Sequence, residues 1–405
     1  MALSLELFRS APRYLAARAV GGKAPGLVAG PLAPLRLASP RDPEPRGAGW
    51  TRVKPLLSGI CGSDLAALGG KSSFYFSPLV SLPFVPGHEV VGEVLDDVDG
   101  VSAGDRVVLA SVLSCATRGL DPCPNCRAGL FNRCDSVATG DLKAGLQTGY
   151  CADTGGGWSR MMLAHGSQLH PIPPAMDDRV AVLIEPFACA IHAAMRANVP
   201  DGGSVLVVGA GTVGILTLLA VKLLTGADHV IVAAKHAKQR AAARLAGADV
   251  VVVPDHAVKA VRRSEYAMKL TPERGMDFLL GGVDVAIEST GSRSALDLAM
   301  RTTRAGGRVV LSGIPGPGAD LTPVWFRELE LAGAYTSATE RVGDADRNTF
   351  DMAIELASGL PMLADMVGAT YPLDRWREAI DHALGAGRLG TFKVAFAPYG
   401  TSEQA

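Results

Sequence analysis

The stretch VLVVGAGTVG at residues 205–214 decides how the second half of this chain folds. Its apolar start predicts a buried strand, and the run GILTLLAVKLLTGA that begins at its last glycine predicts a helix. Between them, Gly209, Gly211 and Gly214 have the GxGxxG spacing. Glycines at such a turn let a pyrophosphate approach the backbone, and the dipole of the following helix favours its negative charge. The stretch therefore predicts a dinucleotide-binding site on these three glycines.

Strands and helices alternate after this stretch. HVIVAAK, VDVAIESTG and GGRVVLSGI predict strands, and KQRAAARLAGA predicts a helix. Such alternation is typical of βαβ units in a parallel sheet. The residues before about 185 instead contain short β-branched runs bounded by Gly and Pro, such as HEVVGEVL and GDRVVLASVL. These runs predict an irregular, mostly antiparallel β domain.

The predicted fold class is therefore α/β with two domains, as expected for 405 residues. We place the antiparallel β domain at residues 1–185 and a doubly wound parallel-sheet domain at residues 186–335. Residues 336–405 are predicted to hold two helical stretches and the closing strand TFKVAFAP.

Composition and charge exclude some partners. Lys and Arg number 39 against 40 Asp and Glu, so no basic surplus exists to neutralise a nucleic-acid backbone. The uncharged run at residues 202–221 is long enough for a membrane helix, but the glycine motif inside it favours a strand and a turn. The N-terminal arginines are reminiscent of a transit peptide but flank no apolar core, and we predict RYLAARAV at residues 13–20 to be a first strand. We expect a cytoplasmic protein with no nucleic-acid or membrane partner.

The end of the second predicted strand bears on which dinucleotide binds. An acidic residue there would accept a hydrogen bond from the ribose hydroxyl of NAD, but this chain has Ala234. Lys235 and His236 follow it, and Arg240 lies about one helical turn on. Since these groups would bind a 2′-phosphate that a carboxylate would repel, we favour NADP over NAD. The alternative is that the basic residues form an ordinary solvated helix start.

Further motifs, taken in their order along the chain, carry a family resemblance. They are CGSD at Cys61, GHE at His88, a cluster of four cysteines at residues 115–134, EP at Glu185 followed by HA at His192, GAGTVG, GGRVV, and the W…REL segment from Trp325 to Gly333. In this set the chain resembles the zinc-containing medium-chain alcohol dehydrogenases, in their polyol and threonine dehydrogenase branch. The resemblance implies a GroES-like catalytic domain, a Rossmann domain, and a last segment, 336–405, that returns to complete the catalytic domain.

The resemblance implies a catalytic zinc ion on Cys61, His88 and Glu185, with Glu185 in place of the second cysteine of other branches. Cys189, one turn after Glu185, is the competing ligand. Glu89 resembles the family's carboxylate near the metal, and Asp64 the aspartate that orients the ligand histidine. We interpret His192 as a packing or polar helix contact rather than a ligand.

Clustered cysteines without a secretion signal favour a metal site over disulfides. Cys123, Cys126 and Cys134 match the last three ligands of the family's second, structural zinc ion. The family places the first cysteine at the position of Leu120, whereas here Cys115 precedes Cys123 by eight residues. We predict that the intervening loop returns the Cys115 thiolate to complete an S₄ zinc site. The alternative is a partly degraded lobe with free thiols.

The resemblance implies hydride transfer between an alcohol or carbonyl substrate and a nicotinamide cofactor. Ser63 matches the family's hydroxyl that takes the substrate proton, with a turn-capping role as its alternative. The family's relay histidine is replaced by Ala66. The loop GKSSFYFSPLVSLPF offers aromatic side chains that line the substrate site or belong to the core. A homo-oligomer, dimer or tetramer, is expected by analogy with the family.

Two other functions compete with this one. The first is a zinc-independent enone or quinone reductase of the same superfamily, which the set Cys61, His88 and Glu185 argues against. The second is a non-catalytic dinucleotide-binding sensor. Tight cofactor binding without turnover of any alcohol would support this function.

Overall fold

A computed structural model describes residues 3–21 and 24–400. The chain divides into two compact units. The first unit comprises Met1–Glu185 and Phe350–Ala405, and the second comprises Pro186–Thr349. In the structure, the segment that returns to the first unit is Phe350–Ala405, and residues 336–349 belong to the second unit.

The strands in chain order are β1 (Ser4–Leu7), β2 (Leu35–Ala38), β3 (Trp50–Gly59), β4 (Val90–Val94), β5 (Arg106–Leu109), β6 (Met162–His165), β7 (Leu169–Pro171), β8 (Ser204–Val208), β9 (His229–Ala233), β10 (Val250–Val252), β11 (Met268–Leu270), β12 (Phe278–Leu280), β13 (Val283–Glu288), β14 (Thr303–Leu311), β15 (Glu330–Gly333), β16 (Thr339–Val342), β17 (Ala345–Asn348), β18 (Val367–Tyr371) and β19 (Lys393–Phe396). The α-helices are α1 (Ala11–Val20), α2 (Pro25–Val28), α3 (Gly62–Leu68), α4 (Pro124–Arg127), α5 (Asp178–Ala181), α6 (Ile184–Ala197), α7 (Thr212–Leu224), α8 (Ala237–Leu245), α9 (Ala257–Ser264), α10 (Arg293–Thr302), α11 (Thr322–Arg327), α12 (Thr349–Ser358) and α13 (Trp376–Leu389).

The second unit is built on a parallel sheet of six strands in the order β10-β9-β8-β13-β14-β15. β8 pairs in parallel with both β9 and β13, so the strand order reverses at β8. Ligands of open α/β sheets bind beyond the carboxyl ends of the strands at such a reversal. The glycine turn of residues 209–214 lies there, directly after β8. The predicted parallel-sheet domain and its strands at this turn are thus observed.

The uncharged run at residues 202–221 splits into β8, the turn and most of α7, as the glycines predicted. Across residues 3–21 and 24–400, no helix combines the length and the apolarity that crossing a bilayer requires.

The first unit is built on a mostly antiparallel sheet of seven strands. β3 is its longest strand and pairs with β4, β6 and β19. β18 and β19 come from the end of the chain, so two of the seven strands belong to the returning segment. β19 lies antiparallel to the end of β3, next to Cys61. The returning segment therefore contributes directly to the region of the predicted catalytic residues.

The prediction of a strand at residues 13–20 is wrong, because this stretch forms helix α1. Its Ala, Leu and Arg residues all have high helix propensity. Ser10 is the N-cap residue and Pro12 lies in the first turn, where proline is well tolerated. Propensity and the start signal at Ser10 therefore favour the helix.

A small lobe, residues 113–145, carries the four clustered cysteines on short helical turns. At its centre the Arg118 side chain is fully buried. Its guanidinium donates to the carbonyl oxygens of Leu113 (3.1 Å), Thr139 (2.8 Å), Leu142 (3.1 Å), Lys143 (3.3 Å) and Gly145 (2.6 Å). Burial lowers the pKa of Arg118, but a guanidinium keeps its charge in proteins. One cation therefore satisfies the carbonyls of a lobe that has little regular structure.

We expect Arg118→Met to destabilise the first unit by about 3 kcal/mol, because it leaves several buried carbonyl oxygens without a donor. Urea unfolding of the intact chain measures the change. Arg133→Met is the matched control, since Arg133 is exposed in the same lobe. Equal unfolding midpoints for the two variants would contradict the role given to Arg118.

Candidate metal and dinucleotide sites

Cys61 and Asp64 are held by the start of α3. Cys61 is the N-cap residue of this helix. The Asp64 carboxylate accepts a hydrogen bond from the Cys61 backbone N–H at 3.0 Å. This capping contact fixes both side chains relative to the end of β3.

His88 lies between two of the predicted residues. Its Nε2 is 3.4 Å from the Ser63 hydroxyl, and its Nδ1 is 3.6 Å from Asp64 Oδ1. Both Asp64 Oδ1 and His88 Nδ1 are buried and make no hydrogen bond within the described structure. Burial disfavours the charged ring, but the Asp64 carboxylate and the Cys61 thiol outweigh it and raise the pKa of His88. Asp64 is therefore placed to orient the imidazole, as predicted from the resemblance.

Glu89, predicted near the metal, is paired with a residue that the sequence analysis did not single out. Both of its carboxylate oxygens accept from Lys393 Nζ, at 2.6 and 2.5 Å, and both side chains are almost fully buried. Burial alone would lower the pKa of Lys393, but the Glu89 carboxylate raises it above its ordinary value. A methyl group added at Gly59 would come within 1.9 Å of Glu89 Oε2, so the glycine leaves the space that Glu89 fills.

The signal for Lys393 was present in the sequence. It is a lysine at the start of the apolar run VAFA, where each residue of β19 is buried. A buried lysine requires a partner of opposite charge.

The ligand atoms of Cys61, His88 and Glu89 lie within 4.8 Å of one another. Glu185, the predicted third ligand, is buried at the start of α6 but is not part of this group. Burial and nearer charged groups have the larger effects on the pKa values of His88 and Lys393. The Glu185 carboxylate makes a smaller contribution that raises both values. A thiol, an imidazole and carboxylates together suit zinc, so the residues present fit this ion.

Tyr150 covers one side of His88, and no sequence pattern pointed to it. Its ring centroid is 5.9 Å from the His88 ring and 5.2 Å from the Phe84 ring. Phe84 itself is in the core, whereas Phe74 and Tyr75 of the predicted aromatic loop are largely exposed. Only part of that loop therefore approaches the imidazole, and it does so through Tyr150.

The structure brings the four clustered cysteines together. The ligand atoms of Cys115, Cys123, Cys126 and Cys134 lie within 4.8 Å of one another, and the sulfurs of Cys115 and Cys134 are 3.6 Å apart. The Cys123 N–H donates to the Cys115 sulfur at 3.3 Å, so the loop does return its thiol. Leu120, at the family's usual cysteine position, packs against the cluster.

The thiols of this cluster differ in acidity. Backbone N–H groups of Asp135 and Cys126 lower the pKa of Cys123 to about 6. Burial raises the pKa of Cys126 and of Cys134 above the ordinary thiol value. Because metal ligation needs thiolates, an ion bound here would displace protons and bind more weakly at lower pH.

The glycine turn has the shape that a pyrophosphate requires. Gly209 has a φ of +99°, which favours glycine. A methyl group at Gly214 would lie 2.2 Å from the Gly209 carbonyl oxygen, so only glycine lets α7 approach β8 this closely. A methyl group at Gly211 would meet nothing within 4 Å, which leaves its backbone open to a ligand.

The predicted basic residues meet at the carboxyl end of β9. Lys235 is exposed, and His236 is the N-cap residue of α8. Arg240 Nη1 donates to the carbonyl oxygens of Ala234 (3.2 Å) and Lys235 (2.7 Å), which fixes the guanidinium beside them. His192, by contrast, is buried in the second unit and its Nδ1 is hydrogen-bonded to Glu340 on β16.

Comparison with known proteins agrees with this arrangement. Residues 47–174 match the model of the alcohol dehydrogenase GroES-like domain, and residues 212–358 match that of the zinc-binding dehydrogenase. The sorbitol dehydrogenase of Bacillus subtilis is 29% identical over 82% of this chain and 86% of its own length. An L-threonine 3-dehydrogenase of a Shewanella species is 28% identical over 84% of this chain and 89% of its own.

A solved structure shows the same fold. A putative zinc-binding dehydrogenase from Sinorhizobium meliloti, bound to NADP, has a TM-score of 0.68 and 27% sequence identity, covering 90% of this chain and 95% of its own. The two matched domains therefore combine a GroES-like unit with a Rossmann-type unit, as the resemblance implied. This chain belongs to the zinc-containing medium-chain alcohol dehydrogenases, a family of NAD(P)-dependent oxidoreductases.

Proposed function

We propose that this protein is a zinc-dependent alcohol or polyol dehydrogenase that prefers NADP. The observation that carries the proposal is the group of the half-buried Cys61 and the buried His88 with a buried carboxylate, in which Asp64 faces the imidazole and Ser63 contacts it. Sorbitol and threonine dehydrogenases among its relatives favour a hydroxylated substrate.

We assign Cys61, His88 and Glu185 as ligands of the catalytic zinc ion. Glu89 is closer to the other two in the structure, but both of its oxygens are taken by Lys393. Moving Glu89 to a metal would leave the Lys393 ammonium buried without its partner, which is costly. Glu185 is buried at the start of α6, and its carboxylate raises the pKa of both His88 and Lys393, as a carboxylate near these two groups would. A shift of Glu185 toward Cys61 completes the set.

Zinc held there would polarise the substrate oxygen as a Lewis acid, and the nicotinamide ring would take up or deliver the hydride. The residues of this chain then have separate roles. Ser63 accepts the substrate hydroxyl proton, since its Oγ lies beside His88. Asp64 fixes the imidazole tautomer in which Nδ1 carries the hydrogen. Because Ala66 cannot take a proton, the proton that Ser63 gives up as it takes the substrate's would go to water or to the ribose of a bound cofactor.

We assign the Cys115, Cys123, Cys126 and Cys134 cluster as a closed zinc site. Four thiolates complete a tetrahedron and leave no position for substrate, so this ion would stabilise the lobe rather than react. Arg118 and the backbone N–H groups around the sulfurs would offset part of the negative charge of such a site.

Metal analysis tests both assignments. We expect two zinc ions per chain in the wild type, one in Cys61→Ser and one in Cys115→Ser, because each variant removes a ligand from a different site. Alcohol oxidation should be lost only in Cys61→Ser. The competing ligand Cys189 provides the control, since Cys189→Ser should keep both ions. Loss of an ion in Cys189→Ser, or two ions in Cys61→Ser, would contradict the ligand set.

Cofactor kinetics test the preference for NADP. We expect kcat/KM for NADP to exceed that for NAD, and Lys235→Ala combined with Arg240→Ala to lower the NADP value by about tenfold or more, because charge-assisted bonds to the 2′-phosphate are lost. The value for NAD should be unchanged. Lys238→Ala, on the same helix, is the control. A wild-type preference for NAD, or an equal loss for both cofactors, would overturn the assignment.

We also propose that two copies associate through β15. This strand ends the six-stranded sheet and pairs with β14 alone among the described strands. The preceding helix α11 exposes Trp325 (81%) and Phe326 (62%) beside it. An open strand edge next to exposed aromatic side chains is suited to pairing with a second copy, as the family's oligomers suggest.

Sedimentation tests this interface. The wild type should sediment as a dimer or a larger assembly, and Trp325→Glu should shift it toward the monomer, because the charge would be buried on pairing. Leu245→Glu, at an exposed position on α8, should leave the assembly unchanged. A wild-type monomer, or an unchanged assembly in Trp325→Glu, would contradict the proposal.

A cytoplasmic location is proposed as well. The seven cysteines, all within the described residues, form no disulfide. Four of them are close enough to share an ion, and clusters of this kind persist as thiols in reducing compartments.

A further inference from the structure

The connection between β1 and β2 is unusual. These strands pair antiparallel, Ser4 opposite Ala38 through Leu7 opposite Leu35, yet residues 8–34 separate them. Antiparallel neighbours are normally joined by two to five residues. The connection contains α1 and α2, and the family model that matches the first unit begins only at residue 47. This connection, which we call the insertion, lies outside the residues that the family models match.

The insertion is packed into the first unit and is not a loose appendage. Ala17 of α1 is fully buried, and Val28, Ala29 and Ala33 are nearly so. They belong to the same core cluster as Ile60, which precedes Cys61, and Leu68, which ends α3. The strand β1 also contacts the residues before His88, since the Leu7 N–H donates to the Phe84 carbonyl oxygen at 2.7 Å.

One face of α1 holds the loop that follows α3. The Tyr14 hydroxyl donates to the Ser72 carbonyl oxygen at 3.3 Å, and Arg18 donates to the Gly70 carbonyl oxygen at 3.3 Å. The Phe74 ring lies 5.7 Å from the Tyr14 ring centroid, and the Arg18 guanidinium is 5.7 Å from the Phe74 centroid.

The loop fits closely against α1. Gly70 has a φ of +63°, and a methyl group there would lie 2.8 Å from the Tyr14 carbonyl oxygen. The helix backbone and the loop backbone are thus in direct contact. Two hydrogen bonds, an aromatic pair and a cation–π contact together fix residues 70–74 to the insertion.

Both ends of the same loop are joined to parts of the chain that carry residues at or beside the site of Cys61 and His88. At its start it continues α3, which carries Ser63. At its end the Leu79 carbonyl oxygen accepts from the Leu146 N–H at 3.0 Å, and the Ser81 hydroxyl accepts from the Ala152 N–H at 2.9 Å. Between Leu146 and Ala152 lies Tyr150, whose ring covers His88. Residues 69–81 are therefore joined at one end to the helix that carries Ser63 and at the other to the segment that carries Tyr150.

We propose that α1 is a specificity element, in which Tyr14 and Arg18 hold residues 69–81 as a fixed side of the substrate site. The inference rests on the proposed dehydrogenase function, because it concerns which alcohols that site accepts. A fixed loop admits substrate substituents of one size and shape. A mobile loop moves aside for larger substituents and binds each substrate less tightly. Tyr14 and Arg18 touch neither substrate nor metal ligands, so they are positioning residues. The substrates favoured are alcohols with an apolar substituent that reaches Tyr150 and the loop.

The test compares Tyr14→Ala/Arg18→Ala with Leu15→Ala. Leu15 lies on the same helix and is exposed, so its removal controls for changes to α1 itself. Hydrogen exchange of the loop peptides reports on residues 69–81 without requiring turnover. Steady-state kinetics are measured with ethanol, 2-butanol, cyclohexanol and 1-phenylethanol, and zinc content is determined on each sample.

We expect faster exchange at residues 69–81 in the double variant and the wild-type rate in Leu15→Ala. The KM ratio between 1-phenylethanol and ethanol should change by about tenfold, with kcat for ethanol and the zinc content unchanged. A double variant that matches Leu15→Ala in both exchange and KM ratio overturns the inference. If the wild type turns over none of these alcohols and no sorbitol either, the proposed function fails instead. Hydrogen exchange then tests the positioning role without the kinetics. Unchanged exchange rates at residues 69–81 in the double variant would refute that role, and faster rates would support it.

Discussion

The buried ion pair of Lys393 and Glu89 is the constraint on which the first unit depends. Taking two charges out of water costs several kcal/mol for each, so the pair is stable only if every contact around it is made. Lys393 is on β19, and β19 must therefore return in register beside the end of β3. Gly59 must lack a side chain, because Glu89 occupies that space. Both requirements bring the end of the chain to Cys61 and fix the environment in which His88 lies.

The two thiol-containing sites are built in opposite ways. The site of Cys61 and His88 is part of the main sheet and its first helix, with Asp64 and Ser63 directed at the imidazole. The four-cysteine cluster lies in a lobe of short turns whose carbonyl oxygens converge on one guanidinium. The first arrangement brings three ligand-type side chains together, one fewer than the four positions of zinc, whereas the second brings four thiols together. The proposed division into a catalytic and a structural zinc ion follows from this difference.

The sequence predicted the second unit well because its signals are local. A glycine turn fixes the strand before it and the helix after it, and the neighbouring strands repeat the pattern. The cysteine spacing also predicted that Cys115 returns to its cluster. Lys393 stood out as a lysine in an apolar run, but its partner Glu89 is 304 residues away, and Tyr150 and the core role of Arg118 depend on contacts that no local pattern reports. The strand predicted at residues 13–20 is helix α1. Its helix-favouring residues and the N-cap residue Ser10 are local signals that the strand prediction did not take into account.

The most direct test of the central claim is an anomalous-difference map at the zinc edge from crystals of the zinc-loaded protein. The map should show an ion bound by the Cys61 sulfur, the His88 Nε2 and a Glu185 oxygen, with Glu89 still paired with Lys393. An ion bound by Glu89 with Lys393 displaced, or by Cys189 in place of Glu185, would contradict the assignment of ligands. No anomalous density between Cys61 and His88 would remove the basis of the proposed chemistry.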